Sequence, residues 1–309
     1  MKFQNVLVVG GSGFIGRHLC AELARRGLGV TVPSRRRERA KRDLILLPTL
    51  DVVEADVNQP GVLERLARGQ DAVVNLVGVL HGDFAQAHVE IPLAVVSACR
   101  ANGVRRVLHM SALGASPEAP SQYLRSKARG EQAVLDCADL DVTVFRPSVV
   151  FGPEDRFLNQ FATLASLLPV LAVPCPQARF QPVYVGDVAR AMASALDELA
   201  SHGRRYELAG PREYTLKELV ALVCVMTGRQ RLVVGLPERL SYLQAFMLEH
   251  LPGKLMTRDN VLSMQVPNVS SAPFPFGIQP QALEAVAPLY LGHAIPRERY
   301  PEMRSSARR

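Results

Sequence analysis

Short apolar runs recur through the first half of the chain, each followed by a stretch with apolar residues at helical spacing. The first is the clearest: Val6, Leu7, Val8 and Val9 stand together with no polar alternation, the pattern of a strand buried on both faces of a parallel sheet. A helix is expected from Phe14, with Ile15, Leu19 and Leu23 recurring every four residues and Gly27 after Arg25 and Arg26 marking its end. Further strands are expected at residues 30–32, 52–55, 72–76 and 106–110, with helices over 60–68, over about 85–102 and from about Tyr123. Pro92 lies inside the second of these helices and predicts a kink or a late start. Strands and helices that alternate in this way give an α/β fold: a doubly wound parallel sheet whose ligand cleft lies beyond the carboxyl ends of its strands.

The second half is patterned differently. A smaller α/β lobe is expected to begin near Phe151, interleaved with the last sheet elements. Thr215 to Glu218 is a T-x-x-E capping box opening a helix to about Met226. Residues 239–251 form another helix, with Leu240, Leu243, Phe246, Met247 and Leu251 on one side. That stripe reads first as a core contact, with docking on a membrane surface or partner as the alternative. Beyond Val266 the chain turns Pro- and aromatic-rich and is expected to be extended, with a basic mobile end. The boundaries are thus residues 1–150 for the sheet domain, 151–265 for the lobe and 266–309 for the tail.

Composition narrows the classes. The chain is 48% hydrophobic and 21% charged, ordinary globular values for 309 residues. Its five cysteines are scattered with no C-x-x-C pair, so neither a disulfide framework nor a metal site is expected, and a reducing, cytoplasmic setting is. A first strand starting by Val6 leaves no room for a leader, and no run of about eighteen apolar residues could span a bilayer, so the chain is expected to be soluble or peripheral to the inner membrane. The net charge of +7 gathers around Arg35 to Arg42 and at the C-terminal end, where it suits an anionic lipid surface or a phosphorylated ligand. Aromatics for base stacking are sparse at 6% and no nucleic-acid motif is present, so nucleic acid is not an expected partner.

The chemistry concentrates at the strand ends. Gly10 permits a tight turn after the first strand, Gly13 lets backbone approach a pyrophosphate, and Gly16 lets helix and strand pack closely; the freed helix amides then face phosphate oxygens. The second strand ends in Ser34, Arg35 and Arg36, with no acid where NAD-binding chains hold the ribose 2′-hydroxyl. Arginines there suit a 2′-phosphate, at about 1.5–3 kcal/mol per charge-assisted hydrogen bond. NADP(H) is therefore favoured over NAD(H), which stays the alternative. Asp56, ending the third strand, lies where an adenine amino group could be held, or else caps the helix of 60–68. Ser111 ends the fifth strand, and Tyr123 and Lys127, four apart, project from one face of the next helix. A phenol brought toward neutral pKa by nearby cations can give a proton to a carbonyl oxygen or take one from an alcohol, the partner chemistry of hydride transfer.

Together Gly10–Gly16, Asn75 and Gly78, Ser111, and Tyr123 with Lys127 resemble the short-chain dehydrogenase/reductase superfamily. The stretches HMSALGA, YLRSKARGE, FRPSVVFGPEDRFLN, QPVYVGDVA and YELAGPREYTLKELV are similar to its atypical extended branch, which holds the NADPH-binding accessory subunit of respiratory complex I and bacterial epimerase-like relatives. The resemblance implies a Rossmann sheet with a small C-terminal lobe. It implies catalysis by Ser111, Tyr123 and Lys127, with Ser111 orienting the substrate and Lys127 also anchoring the ribose. The nucleotide would run along Gly10, Gly11, Ser12, Gly13, Phe14, Ile15 and Gly16, then Ser34, Arg35, Arg36, Asp56, Val57, Asn75, Val77 and Gly78, and past the catalytic residues to Pro147 and Val149. Ser148 departs from the Asn that sugar-nucleotide epimerases carry there, which weakens a nucleoside-diphosphate-sugar substrate. The partners implied are a small-molecule substrate, the nucleotide and, in the alternative reading of a non-catalytic NADPH-binding assembly protein, a membrane-associated respiratory or quinone-biosynthesis complex.

Overall fold

In a computed structural model of the chain, residues 3–44, 47–250 and 256–292 are described. The chain folds as two compact units interleaved in sequence: Met1–Pro147 with Val185–Leu208 and Ser270–Gln279 in the first, and Ser148–Tyr184, Ala209–Val269 and Pro280–Arg309 in the second.

The first unit is built on seven strands: β1 (Asn5–Val9), β2 (Gly29–Ser34), β3 (Leu50–Glu54), β4 (Ala72–Asn75), β5 (Arg106–Met110), β6 (Asp141–Pro147) and a seventh, Arg204–Leu208. Their order across the sheet is seventh, β6, β5, β4, β1, β2, β3, with every neighbouring pair parallel. This is the doubly wound sheet expected. From β1 the chain winds outward to β3 on one side and then, starting at β4, outward on the other, so the direction switches between β1 and β4. The unbroken apolar strands have the burial they need: Leu7, Val9, Val73, Val107, Val142 and Val144 pack against Leu63, Leu66, Val95, Val96 and Cys99. All five cysteines are free thiols.

The helices of this unit are α1 (Phe14–Arg25), α2 (Arg37–Leu44), α3 (Val62–Ala67), α4 (Ile91–Asn102) and α5 (Gln122–Leu135), joined later by Val185–Asp197. Two depart from expectation. The arginine run, read only as charge, is helical as α2, because Ala40 and Leu44 give it one buried edge. The helix expected over 85–102 is entered through a π turn, Gln86–Glu90, in which Ile91 N–H donates to the carbonyl of Gln86, five residues back. Pro92 has no N–H for the carbonyl of His88, four residues back, and the widened turn is the local answer to that missing bond.

Among the described residues the second unit holds three two-stranded pieces and a core of Phe151, Leu158, Phe180, Leu216, Leu219 and Val223. The capping box forms as read: Thr215 accepts from Glu218 N–H and the Glu218 carboxylate from Thr215 N–H, opening the helix Leu216–Met226. Two expectations are corrected here. Leu283–Val286 and Pro288–Leu291, in the stretch expected to be extended, are helical turns with Leu283, Val286 and Leu291 buried in the core; residues 293–309 lie outside the described residues. The apolar stripe of the helix Glu238–Glu249 is not core: Leu240, Leu243, Phe246 and Met247 are 44–62% exposed, and Ser241 and Ala245 are the buried positions. Leu251, the last of the stripe, lies outside the described residues. Among the described residues no helix is long and apolar enough to cross a membrane.

Candidate active site

The glycine turn has the geometry its spacing implies. Gly10 has φ +87°, a conformation side chains rarely adopt. A Cβ on Gly16 would lie 2.4 Å from the Gly10 carbonyl and 2.6 Å from Gly11 Cα, so α1 rests directly on the turn. Gly13 is the N-cap of α1 and brings no capping side chain, while a Cβ there would meet only the Gly10 carbonyl, at 3.2 Å. The first amides of the helix, on Phe14 and Ile15, are thus left for an anion. Gly11 backs onto Val32, and Ser12, Phe14 and Ile15 are half-exposed around the turn.

The next strand ends continue the line. A Cβ on Gly10 would stand 3.3 Å from Val77 N, so the loop after β4 borders the turn. Asn75, 1% exposed, shapes that loop: its Oδ1 accepts from Val77 N–H at 3.1 Å, which turns Nδ2 to donate to His109 Nδ1 at 3.3 Å. At the end of β2, Ser34 Oγ accepts from Arg36 N–H, and the side chains of Arg35 and Arg36 are exposed. At the end of β3, Asp56 Oδ1 accepts from Asn58 N–H and Nδ2 in an Asx turn, beside half-buried Val57. Helix capping by Asp56 is corrected: α3 starts at Val62, and its N-cap is Gly61, with φ +73° and no capping side chain.

Helix α5 brings the proposed acid/base pair to the same place. Ser121 caps it, accepting from Leu124 N–H, and Tyr123, Lys127 and Glu131 follow at four-residue intervals on one face. Lys127 Nζ donates to the Met110 carbonyl at 3.1 Å, and a Cβ on Gly78 would stand 2.8 Å from it. Gly78 is therefore glycine so that the ammonium can reach the floor of the loop. Burial pushes Lys127 down to about 8. Tyr123 packs edge-on against Phe84 and His88, with ring centroids 6.2 and 5.6 Å away, and burial pushes its phenol up to about 12. In the protein alone desolvation sets this direction; the lowering expected from sequence counts the nicotinamide cation beside Lys127 as well.

Ser111 Oγ is buried. It lies beside Glu131, whose carboxylate accepts a bidentate pair from Arg146 at 2.8 and 2.6 Å and a further bond from Arg205. Those partners and Ser111 hold Glu131 below the usual carboxylate range against its burial. The Pro147 carbonyl accepts from Leu113 N–H in the first unit. Val149 lies in the second, where its N–H donates to Asn268 Oδ1 at 3.0 Å.

Four residues of the site escaped the sequence reading: Phe84, His88, His109 and Ser126. Burial, and next the charge of Lys127, push both imidazoles down to about 3. The only sequence signal for His88 was a histidine four residues before a mid-helix proline.

With the geometry in view, comparison with known proteins settles the lineage. Residues 6–209 match the model of the NAD dependent epimerase/dehydratase family. The chain belongs to that family. Among curated relatives it is 33% identical over 299 residues to the rat protein "NADH dehydrogenase [ubiquinone] 1 alpha subcomplex subunit 9, mitochondrial", covering 90% of this chain and 77% of that one. It is 33% identical over 190 residues to the ceramide reductase of Caulobacter vibrioides, 60% of this chain and 58% of that one. Among solved structures, epimerase Mth375 of Methanothermobacter thermautotrophicus superposes with a TM-score of 0.73 at 18% identity, covering 99% and 95% of the two chains, a likeness of fold.

Proposed function

We propose that this family member binds a nicotinamide dinucleotide, NADP(H) in preference to NAD(H), and acts as an oxidoreductase or epimerase with Tyr123 as acid/base. The observation that carries the reading is one continuous line of contacts: the Gly10 turn borders Val77, Gly78 admits the Lys127 ammonium, and Lys127 follows Tyr123 by one helical turn. An uncapped helix start and a loop with no room for a Cβ fit a phosphate and a ribose. Arg35 and Arg36 stand exposed at the end of β2, where they would meet a 2′-phosphate.

When bound, the dinucleotide supplies or accepts the hydride. Tyr123 gives its phenolic proton to a carbonyl oxygen being reduced, or as phenolate takes the proton of an alcohol being oxidised. From about 12, the phenol reaches a working range only if the nicotinamide cation and the Lys127 ammonium favour the phenolate. Contact with ribose hydroxyls would supply Lys127 with acceptors and keep it charged. The ceramide reductase relative supports reduction of a carbonyl as the reaction. A nucleoside-diphosphate-sugar substrate is disfavoured, since the Ser148 hydroxyl is already held by Asn268 Oδ1 at 2.6 Å. Tyr123→Phe tests the reading: turnover of carbonyl substrates should vanish while NADPH affinity changes by less than about threefold. Unchanged turnover would refute it.

One observation favours a second reading, a non-catalytic NADPH-binding accessory protein of a membrane-associated complex. The similarity to the respiratory subunit coincides with an exposed apolar face on the helix Glu238–Glu249. It expects slow nucleotide release and co-purification with membranes; a freely exchanging nucleotide and no membrane association would refute it.

A further inference from the structure

We propose that His88 is a positioning residue, a neutral imidazole with its proton on Nδ1 that ties the cofactor-side loop after β4 to the backbone turn presenting Tyr123. The inference rests on the acid/base reading above and adds to it a residue that the motif does not contain.

The bonds fix the tautomer. Val79 N–H donates to His88 Nε2 at 3.0 Å, so that nitrogen carries the lone pair and the proton sits on Nδ1. Nδ1–H then donates to Ser126 Oγ at 2.7 Å, and the Ser126 hydroxyl donates to the Tyr123 carbonyl at 2.8 Å. Three hydrogen bonds in series thus run from the residue after Gly78 to the residue carrying the phenol. His88 is 1% exposed and Ser126 4%, so water does not compete for these bonds. The imidazole also stacks on Phe84, at 5.5 Å, and meets the Tyr123 ring edge-on.

The surrounding sequence is arranged to put the imidazole there. Pro92 leaves the His88 carbonyl without its helical donor, and the π turn displaces that carbonyl against α5. There it sits where a Cβ on Gly130 would be, 1.7 Å from the ideal position. No other residue at 130 would let the π turn approach, so Pro92, Gly130 and His88 act together, and π turns recur at functional sites for this reason of local displacement.

The function of such a strut is registration. The loop carrying Gly78 meets Lys127 Nζ, and the strut fixes the same loop to the first turn of α5, so phenol and ammonium are held at one spacing above a single floor. Among the described residues the His88 and Phe84 rings pack against the Tyr123 ring, and Lys127 lies one turn on along α5. A neutral imidazole suits that place, since a cation there would compete with the ammonium.

The test uses the full chain, with 15N-histidine and 13Cζ-tyrosine labels. His88 should show a protonated Nδ1 and a bare Nε2 that does not titrate between pH 5 and 8; an Nε2–H tautomer, or titration in that window, would overturn the strut. Ser126→Ala removes the middle link from a helix position where alanine is well tolerated. In that variant the Val79 amide should exchange at least tenfold faster, with β1 amides unchanged. With NADP+ bound, the Tyr123 phenol should titrate at least one pH unit higher than in the wild-type chain. A Val79 amide and a Tyr123 titration both unmoved by Ser126→Ala would also overturn the strut. A wild-type phenol indifferent to NADP+, with His88 in the stated tautomer and Val79 loosened by the variant, would instead sink the acid/base reading and leave the strut standing.

Discussion

Among single residues, charges placed by backbone decide which nucleotide fits. Arg35 and Arg36 are exposed at the end of β2, and together they would form one or two charge-assisted bonds to a 2′-phosphate. Replacing both with alanine should erode the NADPH over NADH preference by about one to two orders of magnitude, as losing bonds of about 1.5–3 kcal/mol would, with stability unaffected. An affinity ratio unchanged in competition titrations would show that they are only solvated charge. The glycines are equally specific. Gly16→Ala would push a methyl into the Gly10 carbonyl, 2.4 Å away, and should abolish dinucleotide binding while the far sheet edge stays protected from hydrogen exchange. Gly10, Gly13, Gly16, Tyr123 and Lys127 were legible in sequence because their spacing alone sets which neighbours they face. The desolvation of Tyr123 was not, since it depends on Phe84 and His88, which arrive from another element.

At the scale of elements, the strands were legible because an unbroken apolar run has few other uses, whereas the joints were not. The π turn needs both Pro92 and the close approach of α5, a tertiary fact hidden from periodicity. Gly130→Ala should cost on the order of 3 kcal/mol by overpacking backbone against backbone, lowering the urea midpoint. A midpoint within 0.2 M of wild type would show that α5 can slide away from the His88 carbonyl. Periodicity also failed on Glu238–Glu249: a 3.6-residue stripe says which side is apolar, not what covers it, and here the stripe faces outward. The arginines of α2 read only as a run of charge because, among the described residues, Ala40 and Leu44 alone mark its buried edge.

At the scale of the whole molecule, buried bases tie stability to pH. His88 and His109 have folded values of about 3 against 6.5 when exposed, so below pH 6.5 the unfolded chain takes up protons that the folded chain refuses. Their contribution is fully present above pH 6.5 and is lost as pH falls toward 3, at up to about 1.4 kcal/mol per pH unit for each imidazole. Urea midpoints should drop through this window, and less steeply in His109→Gln; equal slopes for the two proteins would contradict the assignment. Ligand binding works in the opposite direction, adding about 2.7 kcal/mol at a hundredfold excess over Kd. In the proposed complex the strand ends of the sheet hold a nicotinamide dinucleotide, its 2′-phosphate at Arg35 and Arg36 and its reactive ring beside Tyr123 and Lys127. Titration of the purified chain with NADPH and with NADH, followed by nucleotide fluorescence, tests it most directly. NADPH binding at least tenfold tighter than NADH is the result expected; equal affinities, or no binding of either, would contradict it.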